Sequence, residues 1–331
     1  MKALVYTGPE AQTYRDVADP VPSAGEALIR VAHTGICGSD MHAFLGHDER
    51  RPAPLILGHE VAGTVVSGEL SGQRVTVNPL VSCGSCEACR SGRDNLCGNR
   101  QIISMPPREG GFADYLAMPE ANLVVVPDHV SDAQAALAEP ISCGWHAVRL
   151  ARQALFGNPA DACALVIGGG AIGLGAALCL KAQGIDKVQL VEPNVERARF
   201  LASSCGIEVL TPEEADASGQ YDVVVDGVGF AATRAAASSR VKPGGVIAHI
   251  GLGSAEGGLD IRRITLQEIT FIGTYTYTAE DFRDTAKAMF DGRLGSLDWV
   301  EIRPLSDGLK AFNDLRAGEV AVPKILLTPN T

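Results

Sequence analysis

The sequence predicts an α/β protein, a doubly wound parallel sheet in one half with a β-rich second domain. Three observations carry that expectation. Short β-type runs broken by Gly and Pro fill residues 1 to about 130. From about 131, apolar runs alternate with helical sequence. A Gly-rich turn joins the first of those later runs to a helix. At roughly 150 residues per domain, 331 residues allow about two domains.

In chain order, the runs 26–31, 63–66, 74–77 and 123–127 read as strands separated by frequent turn signals, the pattern of a barrel or sandwich. Ser131 is a capping residue and opens an Ala-rich helix expected to run towards Glu139. Apolar runs at 163–167, 188–191, 223–225 and 246–250 then recur, each followed by helix- or loop-length sequence. They predict parallel strands covered by helices on both faces. After about 275 the sequence predicts one helix over 279–290 and a last strand over 324–327. That tail is too short for an independent domain and must pack on something earlier.

Lys and Arg number 28 against 39 Asp and Glu, a net charge of −11, which argues against a hold on nucleic acid or an anionic membrane. No run of about 18 apolar residues is present, so no membrane-spanning helix is expected. The apolar run at the N-terminus is too short for a signal peptide. A soluble, cytoplasmic protein is the expectation. Nine cysteines, an odd number, make a poor disulfide framework. Cys143, Cys163, Cys179 and Cys205 have apolar neighbours and are expected to be buried, reduced thiols.

The run 164–167 leads into Gly168-Gly169-Gly170-Ala171-Ile172-Gly173 and then a helix. This is Gly-x-Gly-x-x-Gly between strand and helix. Gly168 makes the tight turn, Gly170 admits a pyrophosphate to the backbone, and Gly173 lets helix and strand pack closely. The phosphates would meet N–H groups at the positive end of the helix dipole. Glu192 closes the next strand, where an acid accepts from the adenosine ribose hydroxyls and repels the 2′-phosphate of NADP. NAD is therefore expected over NADP, with Arg197 as the one nearby group able to accommodate that phosphate.

Cys83, Cys86, Cys89 and Cys97 have the spacing of a closed four-thiolate shell, which suits a structural zinc and leaves no position for substrate. A second set has more chemical meaning. Cys37 is followed by His59-Glu60 about twenty residues on, and by Glu139 far downstream. These are soft and hard donors able to bind zinc with one position open.

Those residues, with Thr34-Gly35-Ile36-Cys37-Gly38-Ser39-Asp40-x-His42, Leu57-Gly58-His59-Glu60-x-Ala62-Gly63, Gly111-Phe112-Ala113-Asp114-Tyr115 and the Gly-rich turn, resemble the zinc-dependent medium-chain dehydrogenases/reductases. The resemblance covers nearly the whole chain and is greatest to the sorbitol/polyol and threonine dehydrogenase branch. It implies a GroES-like catalytic domain over residues 1–140, completed by 275–331, and a Rossmann NAD-binding domain over 141–274. It implies Cys37 and His59 as ligands of a catalytic zinc, with Glu60 and Glu139 as the acidic candidates. Ser39 and His42 match its proton-relay positions. Its NAD contacts fall on Ile172, Arg197, Ile250, Gly251, Leu252, Thr274 and Tyr275, besides Gly168, Gly170, Gly173 and Glu192. One departure is Gln73, where the family has Asp in a short turn between two strands.

The activity so implied is oxidation of a secondary alcohol or polyol to the ketone, with hydride transfer to NAD and two zinc ions per subunit, one catalytic and one structural. A homodimer or homotetramer formed through the edge strand of the cofactor domain is implied as well. Oxidation of an amino alcohol, as by threonine dehydrogenases, is the alternative, and zinc-free reductase or non-catalytic relatives are another. Arg50, Arg51 and Arg108 lie in loops that could reach a substrate, which leaves the kind of alcohol open.

Overall fold

Strand Glu26–Gly35 alternates buried and more exposed side chains over its first half, turning Ala27, Ile29 and Val31 into one apolar core. Such a strand needs partners on both edges and a cover on one face. One edge pairs antiparallel with Glu60–Ser67, in a register that sets Gly35 opposite Glu60. The other edge is shared, Tyr115–Pro119 taking its first half and Lys324–Thr328 its end. Arg74–Val77 and Leu123–Val125 extend the sheet on one side and Val300–Pro304 on the other, making seven strands. A smaller sheet of Ala11–Asp16, Lys2–Gly8 and Leu55–Ile56 packs nearby, around Leu4, Phe44, Phe112 and Phe312. The computed structural model describes residues 1–329.

The second half holds six parallel strands in the order Glu208–Leu210, Lys187–Val191, Cys163–Ile167, Tyr221–Asp226, Val241–His249, Thr270–Gly273. Strand order reverses between Cys163–Ile167 and Tyr221–Asp226, and such a switch point opens a crevice at the strands' C-terminal ends. Helices Ala138–Ala154 and Ala171–Ala182 cover one face, packing with Ala279–Phe290 around Leu174, Ala177, Trp145 and Phe282. Gly144 permits the close crossing of the first two, because a Cβ there would lie 2.7 Å from the Ala176 nitrogen. No helix among the described residues is long and apolar enough to cross a membrane.

Three local expectations need correction. The helix opened by Ser131 ends at Ala135, and a separate helix, Ala138–Ala154, begins just before Glu139. Pro140 explains the restart, since it has no N–H for a continuing helix but is tolerated in a first turn. The tail holds more than one helix and one strand: Val300–Pro304 and helix Gly308–Ala317 form a crossover unit with Lys324–Thr328. Finally, Cys179 is buried, but Cys143, Cys163 and Cys205 are only half-buried.

Candidate active site

The sheet register assembles the first donor set. Cys37 lies two residues beyond Gly35, at the N-cap of helix Gly38–Phe44, while Glu60 begins the strand facing Gly35 and His59 immediately precedes it. Gly35 is required there, since a Cβ would stand 1.9 Å from Glu60 Oε2. Gly58 turns the chain into His59 with φ +91, and a Cβ on it would strike Phe112 and Thr34. One ligand atom each from Cys37, His59 and Glu60 lies within 4.8 Å of the others.

Burial and hydrogen bonding show that this set fits a metal. His59 is 6% exposed and Glu60 fully buried; His59 Nδ1 faces the Asp40 carboxylate at 3.4 Å, while Glu60 Oε2 has no hydrogen-bond partner. Buried polar atoms are ordinarily satisfied, so Glu60 Oε2 lacks a partner that the protein itself does not supply. A thiolate, an imidazole and a carboxylate are donors that zinc accepts.

Asp40 organises the approach to this set. Its carboxylate accepts the Cys37 N–H at 3.0 Å and the Gly58 N–H at 3.2 Å, joining the two segments that bear the donors. Its Oδ1 lies 3.4 Å from His59 Nδ1. Burial opposes its charge, but His59, Arg51 and the Cys37 N–H hold the carboxyl below its usual range. His59 is likewise opposed by burial and raised well above its ordinary value by Asp40 and Cys37. Asp40 stood within the recognised motif, but nothing in the linear sequence marked its role.

Lys324 was also missed. Its Nζ is 2.6 Å from Glu60 Oε1 and 2.8 Å from the Ile36 carbonyl, with the side chain 4% exposed. The available signal was a lysine opening the apolar run 324–327, where a charge has to find a partner.

Glu139 stands in the first turn of Ala138–Ala154. Burial, with Glu60 nearby, raises its carboxyl, and Tyr277 Oη donates to its Oε1 at 2.7 Å. It is not one of the three mutually close donors. Cys143 follows one helical turn later, its thiol pushed well up by burial and by the charges of Glu139, Cys37 and Glu60.

Ser39 and His42 share one face of helix Gly38–Phe44, the first half-buried and the second exposed. Among the described residues neither side chain hydrogen-bonds to the other; the Ser39 carbonyl accepts from Arg51 Nη1 at 2.9 Å. All three loop arginines are engaged: Arg50 with Asp48, Arg51 with Asp48 and the Ser104 and Ser39 carbonyls, Arg108 with Glu26 and Gln101.

Cys83, Cys86, Cys89 and Cys97 bring their sulfur atoms within 4.8 Å of one another. N–H groups of Ser85 and Cys86 lower the Cys83 thiol to about 5, and burial with the neighbouring sulfurs pushes Cys89 to about 11.

At the switch point, Gly168 takes φ +100, and a Cβ on Gly173 would lie 1.7 Å from the Gly168 carbonyl oxygen. Beside Gly170 the space is open, with no atom within 4 Å of a built Cβ. Ile172 is half-buried in the first turn of the following helix. Glu192 accepts the N–H groups of Gly169 and Asn194, both at 2.8 Å, so its charge lies against the Gly-rich turn. Arg197 donates to the Val320 and Ala321 carbonyls at 2.9 and 3.3 Å and sits 4.0 Å from Glu192.

Across the crevice, Asp226 was missed as an organiser. It accepts the N–H groups of Val228 and Gly229 and the Thr233 hydroxyl, while its carbonyl accepts from Ile250 and Gly251. Gly251 lies against Val228, and Leu252 is 75% exposed. Thr274 bonds the His249 carbonyl through both N–H and hydroxyl. Tyr275 is held by Asn95 and Arg100 from the four-cysteine loop.

Comparison with known proteins agrees with this geometry. Residues 23–128 match the alcohol dehydrogenase GroES-like domain, and residues 171–291 the zinc-binding dehydrogenase domain. The chain is 32% identical to L-galactonate-5-dehydrogenase of Escherichia coli, over 89% of this chain and 88% of that one. It is 34% identical to sorbitol dehydrogenase of Bacillus subtilis, over 78% of each. Acetophenone reductase of Geotrichum candidum, solved with NAD, superposes with a TM-score of 0.86 at 29% identity, covering 99% of this chain and 96% of that one. A metal-type donor set on a β-rich sheet, a dinucleotide turn at the switch of a parallel sheet, and these matches along the chain lead to one assignment: the protein belongs to the zinc-type medium-chain dehydrogenases/reductases.

Proposed function

We propose that the protein oxidises a secondary hydroxyl of a neutral polyol or diol to the ketone, using NAD, at the group formed by Cys37, His59 and Glu60. The observation that carries this is the gathering of one ligand atom each from Cys37, His59 and Glu60 within 4.8 Å, with buried Glu60 Oε2 left unpartnered. When bound, zinc supplies Lewis acidity to a hydroxyl and the nicotinamide supplies a hydride acceptor. Cys37, His59 and Glu60 hold the metal in this reading, with Glu139 as the neighbouring acid. Ser39 Oγ would accept the proton that leaves the substrate hydroxyl as it gives up its own, which the exposed His42 ring passes to solvent. The four cysteines of residues 83–97 hold a structural zinc. Residues 1–140 with 275–331 form the catalytic domain and 141–274 the cofactor domain.

The preference for a neutral substrate rests on charge. Arg50, Arg51 and Arg108 already have carboxylate or carbonyl partners, so none of the three is free to hold an anionic substrate. NAD is favoured over NADP because Glu192 faces the turn and Arg197 is occupied by carbonyl groups. A homodimer or homotetramer is proposed through the edge strand Thr270–Gly273, with exposed Leu252, Ile261 and Leu266 nearby in sequence. Its free thiols suit the reducing cytoplasm.

A spectrophotometric screen of NAD and NADP reduction over polyols, diols, sugar acids and threonine tests the reading. Fastest reduction of NAD with a polyol or diol is expected, and Cys37→Ser should abolish it, lose one of two zinc ions per chain, and retain NAD binding. Full activity in Cys37→Ser would overturn the site; fastest oxidation of a sugar acid would overturn the substrate preference.

A further inference from the structure

We propose that Tyr277 is a positioning residue for Glu139, and that the four-cysteine loop holds Tyr277 in place. Tyr277 and Glu139 are both buried, and the phenolic Oη donates to Glu139 Oε1 at 2.7 Å. This bond fixes one carboxylate oxygen of an acid whose charge is influenced by His59 and Glu60 nearby.

The tyrosine lies on the connection between strand Thr270–Gly273 and helix Ala279–Phe290, which has no ladder of its own to stiffen it. Thr276, just before it, has φ +46, a left-handed conformation that a β-branched residue holds only when its surroundings impose it. Those surroundings come from the cysteine loop. Asn95 Nδ2 donates to the Tyr275 carbonyl at 2.8 Å, and Arg100 Nε to the Tyr275 hydroxyl at 3.3 Å. The Arg100 guanidinium also lies over the Tyr275 ring, 4.9 Å from its centroid. The Asp94 carboxylate accepts the Ala279 N–H at 3.0 Å. Contacts from one loop therefore bracket Tyr277 on both sides. Asp94, Asn95 and Arg100 all lie within three residues of Cys97, so closure of the four cysteines places them. The loop that carries no substrate position thereby acts on the acid beside the catalytic metal set.

This inference rests on the proposed catalytic-metal reading, and the test separates the two. Tyr277→Phe, Asn95→Ala and the double variant are made in the zinc enzyme, and again with cobalt(II) exchanged into the Cys37 site. Tyr277→Phe is expected to lower kcat about 10- to 100-fold, with KM for NAD unchanged and a shifted cobalt absorption band. Asn95→Ala should shift that band in the same direction, and the double variant should add nothing to Tyr277→Phe, because residues acting through one contact are non-additive. A parental kcat and cobalt spectrum in Tyr277→Phe would overturn the role of Tyr277. Full additivity of Asn95→Ala would overturn the link to the loop. Failure of cobalt to enter a site sensitive to Cys37→Ser would instead overturn the metal reading itself.

Discussion

Lys324 and Glu60 form an ion pair of 2.6 Å with both side chains out of solvent, joining strands 264 residues apart in the chain. The lysine charge is opposed by burial and raised by Glu60, Cys37 and Glu139, so it remains protonated where a lone buried amine would not. It neutralises one oxygen of Glu60 while the other stays unpartnered on the side of Cys37 and His59.

Removing the amine would strand the Glu60 carboxylate in the interior. Lys324→Met is expected to lower the unfolding free energy of the metal-free protein by about 3–5 kcal/mol, the usual cost of breaking a buried pair from one side. Urea unfolding in the presence of a chelator measures it. An unchanged midpoint would mean that the pair contributes nothing to stability.

A second prediction concerns acid. Asp281 is opposed by burial, but His146 Nδ1 at 2.7 Å, Arg149 Nε at 2.6 Å and the Thr278 hydroxyl hold its carboxyl well below the usual range. Its folded pKa is depressed, so this stabilisation is fully present above the unfolded carboxyl value of about 3.9 and is lost as pH falls below it. Asp281→Asn should unfold more readily at neutral pH, by about 3–5 kcal/mol. It should also show a shallower loss of stability with acid than the parent. Denaturant midpoints measured from pH 7 to pH 3 decide it, and parallel curves would refute the assignment.

The dinucleotide turn gives a third. A Cβ on Gly173 would lie 1.7 Å from the Gly168 oxygen, so Gly173→Ala must push the turn and helix apart. Overpacking of this kind costs about 1–3 kcal/mol, which would appear as roughly 10- to 100-fold weaker NAD binding. Quenching of protein fluorescence by NAD reads the affinity, and an unchanged Kd would show that the turn does not carry the dinucleotide.

The features most legible in the sequence are those whose physics is local. Gly168, Gly170 and Gly173 announce their turn because spacing alone sets it, and Cys83 to Cys97 announce a thiolate shell for the same reason. The helix boundary at Ala135 is hidden because Ser131 and Pro140 both signal a helix start and the Ala-rich stretch between them carries no stop signal. The strand Val300–Pro304 has little burial to mark it, since its stability comes from pairing with Lys324–Thr328. Lys324, Asp40 and Tyr277 escaped notice because each acts on a partner brought near by sheet register or by a crossing segment. No window of sequence contains both members of the Lys324–Glu60 or Tyr277–Glu139 pair.

The return of Lys324–Thr328 to the edge of Glu26–Gly35 has a consequence for biosynthesis. On the ribosome, the end of the early strand at Thr34 and Gly35 emerges with its far edge bare, and Glu60 lacks its counter-cation until Lys324 follows 264 residues later. The parallel-sheet half can meanwhile complete itself, since its pairings all lie between residues 163 and 273. The parallel sheet can thus close before the last strand reaches Thr34 and Gly35, and that short unpaired edge is the kind of surface that chaperones shield.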